Sequence, residues 1–198
     1  IAQMLRLAKR PRVDKAQIYP ERIIPEETFG GPLAAHIKRY CFAKTFCANK
    51  IVLDAACGVG YGSYYLAEAA GEVIGIDKSE KAIIYAKGHY QRQNLQFKVM
   101  DVYKLGFPDK YFDVACSFET LEHVDNPERF ILEVKRVLKE AGVFIVSTPN
   151  VKNTTHNPKN PYHKTEFSRK DFQGLLEKYF KEVEIFGQRR MQSIFHYY

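Results

Sequence analysis

Short apolar runs recurring between amphipathic stretches constrain this chain more than any other feature of it. The runs fall at residues 51–56, 72–77 (EVIGID), 95–100, 112–117 and 142–147, each of strand length and rich in Val, Ile or Phe. Helical patterns lie between them. Residues 127–139 put Phe130, Ile131, Val134, Val137 and Leu138 on one face, and residues 172–180 do the same with Phe172, Leu175, Leu176, Tyr179 and Phe180. Both begin with a cap: Asn126 ahead of Pro127 at the first helical position, and Ser168 with Asp171 as a Ser-x-x-Asp pattern. Strand and helix alternate five times, which predicts an α/β fold with a parallel sheet covered by helices on both faces. A helix is also expected over 33–46 and a sixth strand over 181–187, while 193–198 could begin an antiparallel seventh.

Length fits one domain: 198 residues are expected to form a single unit, with an N-terminal cap segment and helix in 1–48, a ligand-binding core in 49–150, and an acceptor loop, last helix and terminal strands in 151–198. The first residue is Ile1, which leaves room for a segment upstream. No run of 18 apolar residues occurs, and Arg6, Lys9 and Arg10 interrupt the opening stretch, so neither a membrane span nor a secretory signal is expected. Cys41, Cys47, Cys57 and Cys116 form no Cys-x-x-Cys pair and read as reduced thiols of a cytoplasmic protein. The net charge of +7 is scattered in short runs (9–12, 135–136, 189–190), which describes a solvated surface rather than a nucleic-acid stripe.

After the first strand runs DAACGVGYG, residues 54–62, a glycine turn leading into a helix. A dinucleotide fingerprint would place Gly or Ala where this chain has Ser63, and a pyrophosphate would meet the like charge of Asp54. Asp77 ends the second strand, Asp101 follows the third and Glu119 the fourth. Acids at four successive strand ends of a basic protein suit a cationic, hydroxyl-bearing ligand, and S-adenosylmethionine is one. In that assignment Asp77 accepts the ribose hydroxyls. Asp101 accepts from the adenine amino group, the Val102 amide donates to the ring, and Gly58 and Gly60 admit the methionine moiety. Lys78, beside Asp77, and Ser117, at the end of the fourth strand, are placed in the same pocket. Taken singly, each acid is explained as well by a turn or a helix cap.

The segments VLDAACGVGYG, GEVIGID, VMDVYKLGFPDKYFDVACSFETLEHV and LKEAGVFIVSTPN together resemble the class I S-adenosylmethionine-dependent methyltransferases, near the ubiquinone and menaquinone biosynthesis group. The resemblance covers about residues 50–150. It implies a three-layer Rossmann-like sandwich whose mostly parallel seven-stranded sheet has a reversed last strand. It also implies cofactor contacts at Asp54, Gly58, Gly60, Asp77, Asp101 and Val102. Ala56 departs from the family, which often has glycine there, and is counted with the cofactor residues.

Methyl transfer to a hydroxyl calls for a base. His123 in ETLEH (119–123) and His163 in NPYHKTEF (160–167) are the candidates, with Glu119 beside them. Glu119, Glu122, His123 and His163 are also ligand types for a divalent ion, and the Glu-x-x-Glu-His pattern resembles the metal-dependent small-RNA 2′-O-methyltransferases; the metal-free reading is adopted. The Asn/Asp-Pro-Pro-Tyr of amino-directed enzymes is missing after the fourth strand, where Ser117-Phe118-Glu119-Thr120 stands. The expected acceptor is therefore a small-molecule hydroxyl, with an RNA acceptor or an NAD-dependent oxidoreductase as the alternatives.

Overall fold

Residues 22–25, 28 and 31–188 are described by a computed structural model. Five strands form one sheet: β1 (Ile51–Ala55), β2 (Glu72–Asp77), β3 (Leu95–Val99), β4 (Phe112–Phe118) and β5 (Leu138–Ser147). Their order is β3-β2-β1-β4-β5, every pairing is parallel, and after β3 the chain crosses over to β4, which pairs with β1 on the other half of the sheet. All five carboxyl ends therefore meet along one edge, with the topological switch, where ligands of such sheets bind, between β1 and β4. A two-stranded ribbon, β6 (Asn150–Val151) with β7 (Phe167–Ser168), brackets the long loop after β5.

Alternation along each strand divides the core in two. Val52, Val73, Val114 and Cys116 face α1 (Gly31–Lys44), α2 (Tyr61–Leu66) and α3 (Glu80–His89). Leu53, Ile74, Ile76 and Ala115 face the opposite way, onto α4 (Pro127–Val137) and α5 (Arg169–Glu177). Helix, sheet and helix make the three layers expected. Both predicted caps are present: Asn126 accepts from the Arg129 amide and Ser168 from the Asp171 amide. The four cysteines are unpaired. Among the described residues no helix is long and apolar enough to cross a membrane.

One expectation meets a different outcome, and another falls outside the described residues. Residues 181–187 are irregular, so the sixth strand is not formed there; Val183 packs under the sheet while Phe186 is exposed and touches Phe42. The seventh strand at 193–198 lies outside the described residues, as do the basic runs at 9–12 and 189–190.

The turn after β1 places Ala56 at φ +60°, in the left-handed region, together with Gly58 at +59° and Gly60 at +86°. A side chain there costs about 1–2 kcal/mol, partly offset by the ~0.5–1 kcal/mol of extra chain entropy that glycine loses on folding. Ala56→Gly is accordingly expected to raise stability by about 0.5–1 kcal/mol and the melting temperature by ~1–4 °C. A lower melting temperature would show that Ala56 is not strained.

Candidate active site

Asp77, at the carboxyl end of β2, is buried, and both of its oxygens are engaged. Oδ2 accepts from the Gly58 amide at 3.0 Å and from Arg22 Nη1 at 2.7 Å, and Oδ1 accepts from the Ser79 amide at 2.8 Å and from Arg22 Nη2 at 2.7 Å. Two backbone donors thus fix the acid to the glycine turn and to the start of α3, where Ser79 is the N-cap. The bidentate partner comes from 55 residues upstream. Nothing in the sequence pattern pointed to Arg22.

Asp54 differs from the ligand-facing acid expected at the first strand end. It is only 1% exposed, and it accepts from Ser63 Oγ at 2.6 Å and from the Tyr40 hydroxyl at 3.2–3.3 Å. Burial pushes its carboxyl up to about 7, against the opposing pull of those two hydrogen bonds. In the fold this acid ties α1 and α2 to β1. Tyr40 is correspondingly a core residue, edge-on to Phe118 at 4.9 Å and to Tyr61 at 5.8 Å. Ser63, read from sequence only as a mismatch to a dinucleotide motif, has a role of its own here.

The remaining cofactor candidates have contacts of their own. Gly60 caps α2, and a Cβ on it would come within 2.7 Å of Ala86 and Phe97, so glycine there serves packing as well as the turn. Asp101 accepts from the Tyr103 amide at 2.8 Å as a turn former and is exposed; Val102 beside it is half-buried. Ser117 is buried and donates to the Ala55 carbonyl across the β1–β4 switch. Lys78 is exposed and Ala56 half-buried.

The segment after β4 builds the second half of the site. Glu119 is held at φ +52°, a left-handed position that its contacts over-determine. Its amide donates to the Ser147 carbonyl, its Oε1 accepts from Ser147 Oγ at 2.8 Å, and Arg39 Nη2 from α1 stands 3.4 Å away. Glu122 is 1% exposed; Thr148 donates to its Oε2, and its carbonyl receives the Lys164 and Thr165 amides, which pins the long loop onto this segment. Burial, then the neighbouring Glu119, push its carboxyl up to about 8.

His123 and His163, 40 positions apart in sequence, meet edge-on with ring centroids 4.8 Å apart. Their tautomers follow from their partners. His123 Nδ1 lies 3.0 Å from the Tyr162 carbonyl, which can only accept, so Nδ1 carries the proton and Nε2 is the basic nitrogen. Asn160 Oδ1 accepts from the Tyr162 amide, which turns Asn160 Nδ2 toward His163 Nε2 at 3.0 Å; Nε2 therefore accepts, and Nδ1–H donates to Glu166 Oε1 at 2.7 Å. Glu166 belonged to the motif read from sequence, but its orienting contact needed the loop's fold to be seen. One ligand atom from each of Glu122, His123 and His163 lies within 4.8 Å of the others.

The Methyltransferase domain family matches residues 53–146 of the chain. A protein of Mycolicibacterium smegmatis named "Probable S-adenosylmethionine-dependent methyltransferase" is 36% identical over 141 residues, which are 70% of this chain and 54% of that one. The ubiquinone biosynthesis O-methyltransferase of Coxiella burnetii is 37% identical over 104 residues, 52% of this chain and 44% of that one. The chain spans about half the length of the curated relatives it matches. The crystal structure of a SAM-dependent methyltransferase from Aquifex aeolicus superposes with a TM-score of 0.61 over 84% of this chain and 88% of that one, at 20% identity, which bears on the fold alone.

Proposed function

We propose, for a chain whose residues 53–146 belong to the S-adenosylmethionine-dependent methyltransferases, that it transfers a methyl group to a hydroxyl of a small molecule. One observation carries the choice of hydroxyl: two histidines meet edge-on beside the carboxyl ends of β4 and β5, and the Tyr162 carbonyl on Nδ1 of His123 directs its Nε2 to the role of base. The likeness to the Coxiella burnetii enzyme points the same way. S-adenosylmethionine, when bound, supplies a methyl carbon activated by its sulfonium.

The chain contributes alignment and proton removal. Asp77 holds the ribose hydroxyls, the glycine turn at Gly58 and Gly60 takes the methionine moiety, and Asp101 with the Val102 amide reads the adenine edge. His123 Nε2 accepts the hydroxyl proton as the oxygen–carbon bond forms and the carbon–sulfur bond breaks, leaving an ether, S-adenosylhomocysteine and an imidazolium. His163 packs against the base and is oriented by Glu166. Glu119, held by Ser147 and by Arg39 of α1, stands with its carboxylate at the end of β4, on the same segment as the base.

Labelled S-adenosylmethionine and a panel of phenols and alcohols test this reading. Once an acceptor is found, His123→Ala is expected to lower turnover by about 10²–10⁴. Its affinity for S-adenosylhomocysteine by calorimetry should stay unchanged. Undiminished turnover in that variant would remove His123 as the base, and tight NADH binding without affinity for S-adenosylhomocysteine would remove the methyltransferase reading. Retention on RNA with a steep salt dependence would move the acceptor from a small molecule to a nucleic acid.

A second reading has an observation in its favour. Metal-bound histidines characteristically donate the other ring N–H to a carbonyl or carboxylate. Both histidines here do so, and both lie in the cluster with Glu122. A divalent ion held there would take the place of Asn160 Nδ2 at His163 Nε2 and would bind the acceptor oxygen as a Lewis acid. Activity lost to a chelator and restored by Mg²⁺, Mn²⁺ or Zn²⁺ would establish it over general-base catalysis.

A further inference from the structure

We propose that Arg22 is a built-in latch on the ribose subsite, occupying on Asp77 the acceptor positions that the cofactor's two ribose hydroxyls require. The inference rests on the assignment of Asp77 to those hydroxyls. A carboxylate offers about four acceptor positions. All four on Asp77 are filled: two by Arg22 at 2.7 Å each, one by the Gly58 amide at 3.0 Å and one by the Ser79 amide at 2.8 Å. The amides belong to the glycine turn and to the α3 cap and cannot leave without unmaking both. A vicinal diol, which brings two O–H donors, must therefore take the place of the guanidinium.

Position supports the same conclusion. Arg22 Nη1 stands 3.4 Å from where a Cβ on Gly58 would be, so the guanidinium lies on the turn that the ligand has to approach. The Arg22 side chain is 16% exposed and Asp77 4%, which makes the arginine the partner with a path to solvent. Two residues on, Ile24 is 1% exposed in the core, and its amide and carbonyl both bond Thr28. The buried Ile24 side chain anchors the backbone there, two residues from the Arg22–Asp77 pair that has to open. A bidentate, charge-assisted pair is stronger than the hydroxyl bonds that replace it. The latch thus lowers apparent affinity by the fraction of molecules in which it is open. A ligand with one hydroxyl refills only one of the two positions it empties, which favours an intact ribose.

Calorimetry and stopped-flow binding of S-adenosylhomocysteine to the full chain and to Arg22→Ala, Arg22→Lys and Asp77→Ala test the latch. Arg22→Ala is expected to bind on the order of tenfold tighter and to associate faster, with Arg22→Lys in between because it keeps the charge and loses the fork. In the unaltered chain the Arg22 Nη resonances, held in slow rotation by the pair, should collapse to the averaged form of a free guanidinium at saturating S-adenosylhomocysteine. Weaker or unchanged binding by Arg22→Ala, with Asp77→Ala impaired, would overturn the latch and leave the ribose assignment standing. Unimpaired binding by Asp77→Ala would overturn both.

Discussion

Gly62→Ala is expected to cost about 3 kcal/mol, the upper end of the range for an overpacked core and a large share of the ~5–15 kcal/mol that holds a domain together, so its urea midpoint should fall well below that of the unaltered chain. A Cβ on Gly62 would stand 1.9 Å from Tyr40 Cζ and 2.2–2.3 Å from two neighbouring ring carbons. The ring has nowhere to go. It is 5% exposed, meets Phe118 and Tyr61 edge-on, and its hydroxyl is on Asp54. Relief requires either that α1 lift from α2 or that the tyrosine withdraw and leave a buried carboxylate short of a donor. Gly88→Ala is the control: it too lies in a helix, nothing stands within 4 Å of its Cβ, and the better helix former should be neutral or stabilising by ~0.5–1 kcal/mol. Urea midpoints followed by circular dichroism read both variants. Equal midpoints for Gly62→Ala and the unaltered chain would mean that α1 does not pack on α2 as described.

The same pair of elements shows how far sequence carries. β2 ends where periodicity placed it, at Asp77, because a buried parallel strand reads as an unbroken apolar run bounded by charge. The caps of α4 and α5 were legible because capping is a local hydrogen bond between residues three apart. Residues 181–187 carry a strand-like alternation too, yet alternation reports only that a segment has two faces, and pairing depends on a neighbouring edge that no local pattern encodes. Strand ends located the acids, but not the direction of their side chains. β1 is buried on both faces over Val52–Ala55, so nothing in its pattern said that Asp54 would face Ser63 and Tyr40.

What joined the site was invisible for another reason. Arg22 meets Asp77 across 55 positions, and His123 meets His163 across 40. Both encounters depend on how a loop or terminal segment returns to the sheet edge, a property of tertiary packing. Histidine, glutamate and asparagine near 119–123 and 160–166 announced that a polar site was possible; only the return of the loop, through the Glu122 carbonyl and the Lys164 and Thr165 amides, fixed which nitrogen is basic. Glu119 adds a different signal. A non-glycine residue in the left-handed region beside the switch point is strain that the surrounding bonds sustain, and strain of this kind concentrates at working sites.

Raising the pH from 5 to 8 is expected to weaken the fold by way of Asp54, by on the order of 2–3 kcal/mol. Its carboxyl titrates near the ordinary value of 3.8 in the unfolded chain and at about 7 in the folded one, because burial disfavours the charge more than the Ser63 and Tyr40 hydroxyls favour it. Across that window the folded chain keeps a proton that the unfolded chain has released. The stabilisation is therefore complete below about pH 4, declines as pH rises, and is gone above about 7. Glu122, pushed up to about 8, acts in the same direction, and His36, pushed down to about 4 by burial and by Arg39, acts in the opposite one. The quantity to read is consequently the difference between two profiles. Asp54→Asn, an isostere of the protonated acid, should lose the Asp54 part of the slope while keeping the other two contributions. Urea unfolding at half-unit intervals measures it. Coincident slopes for the two proteins would mean that Asp54 is ionised in the fold at pH 5, and that the first strand's acid is open to water and to a cationic ligand after all.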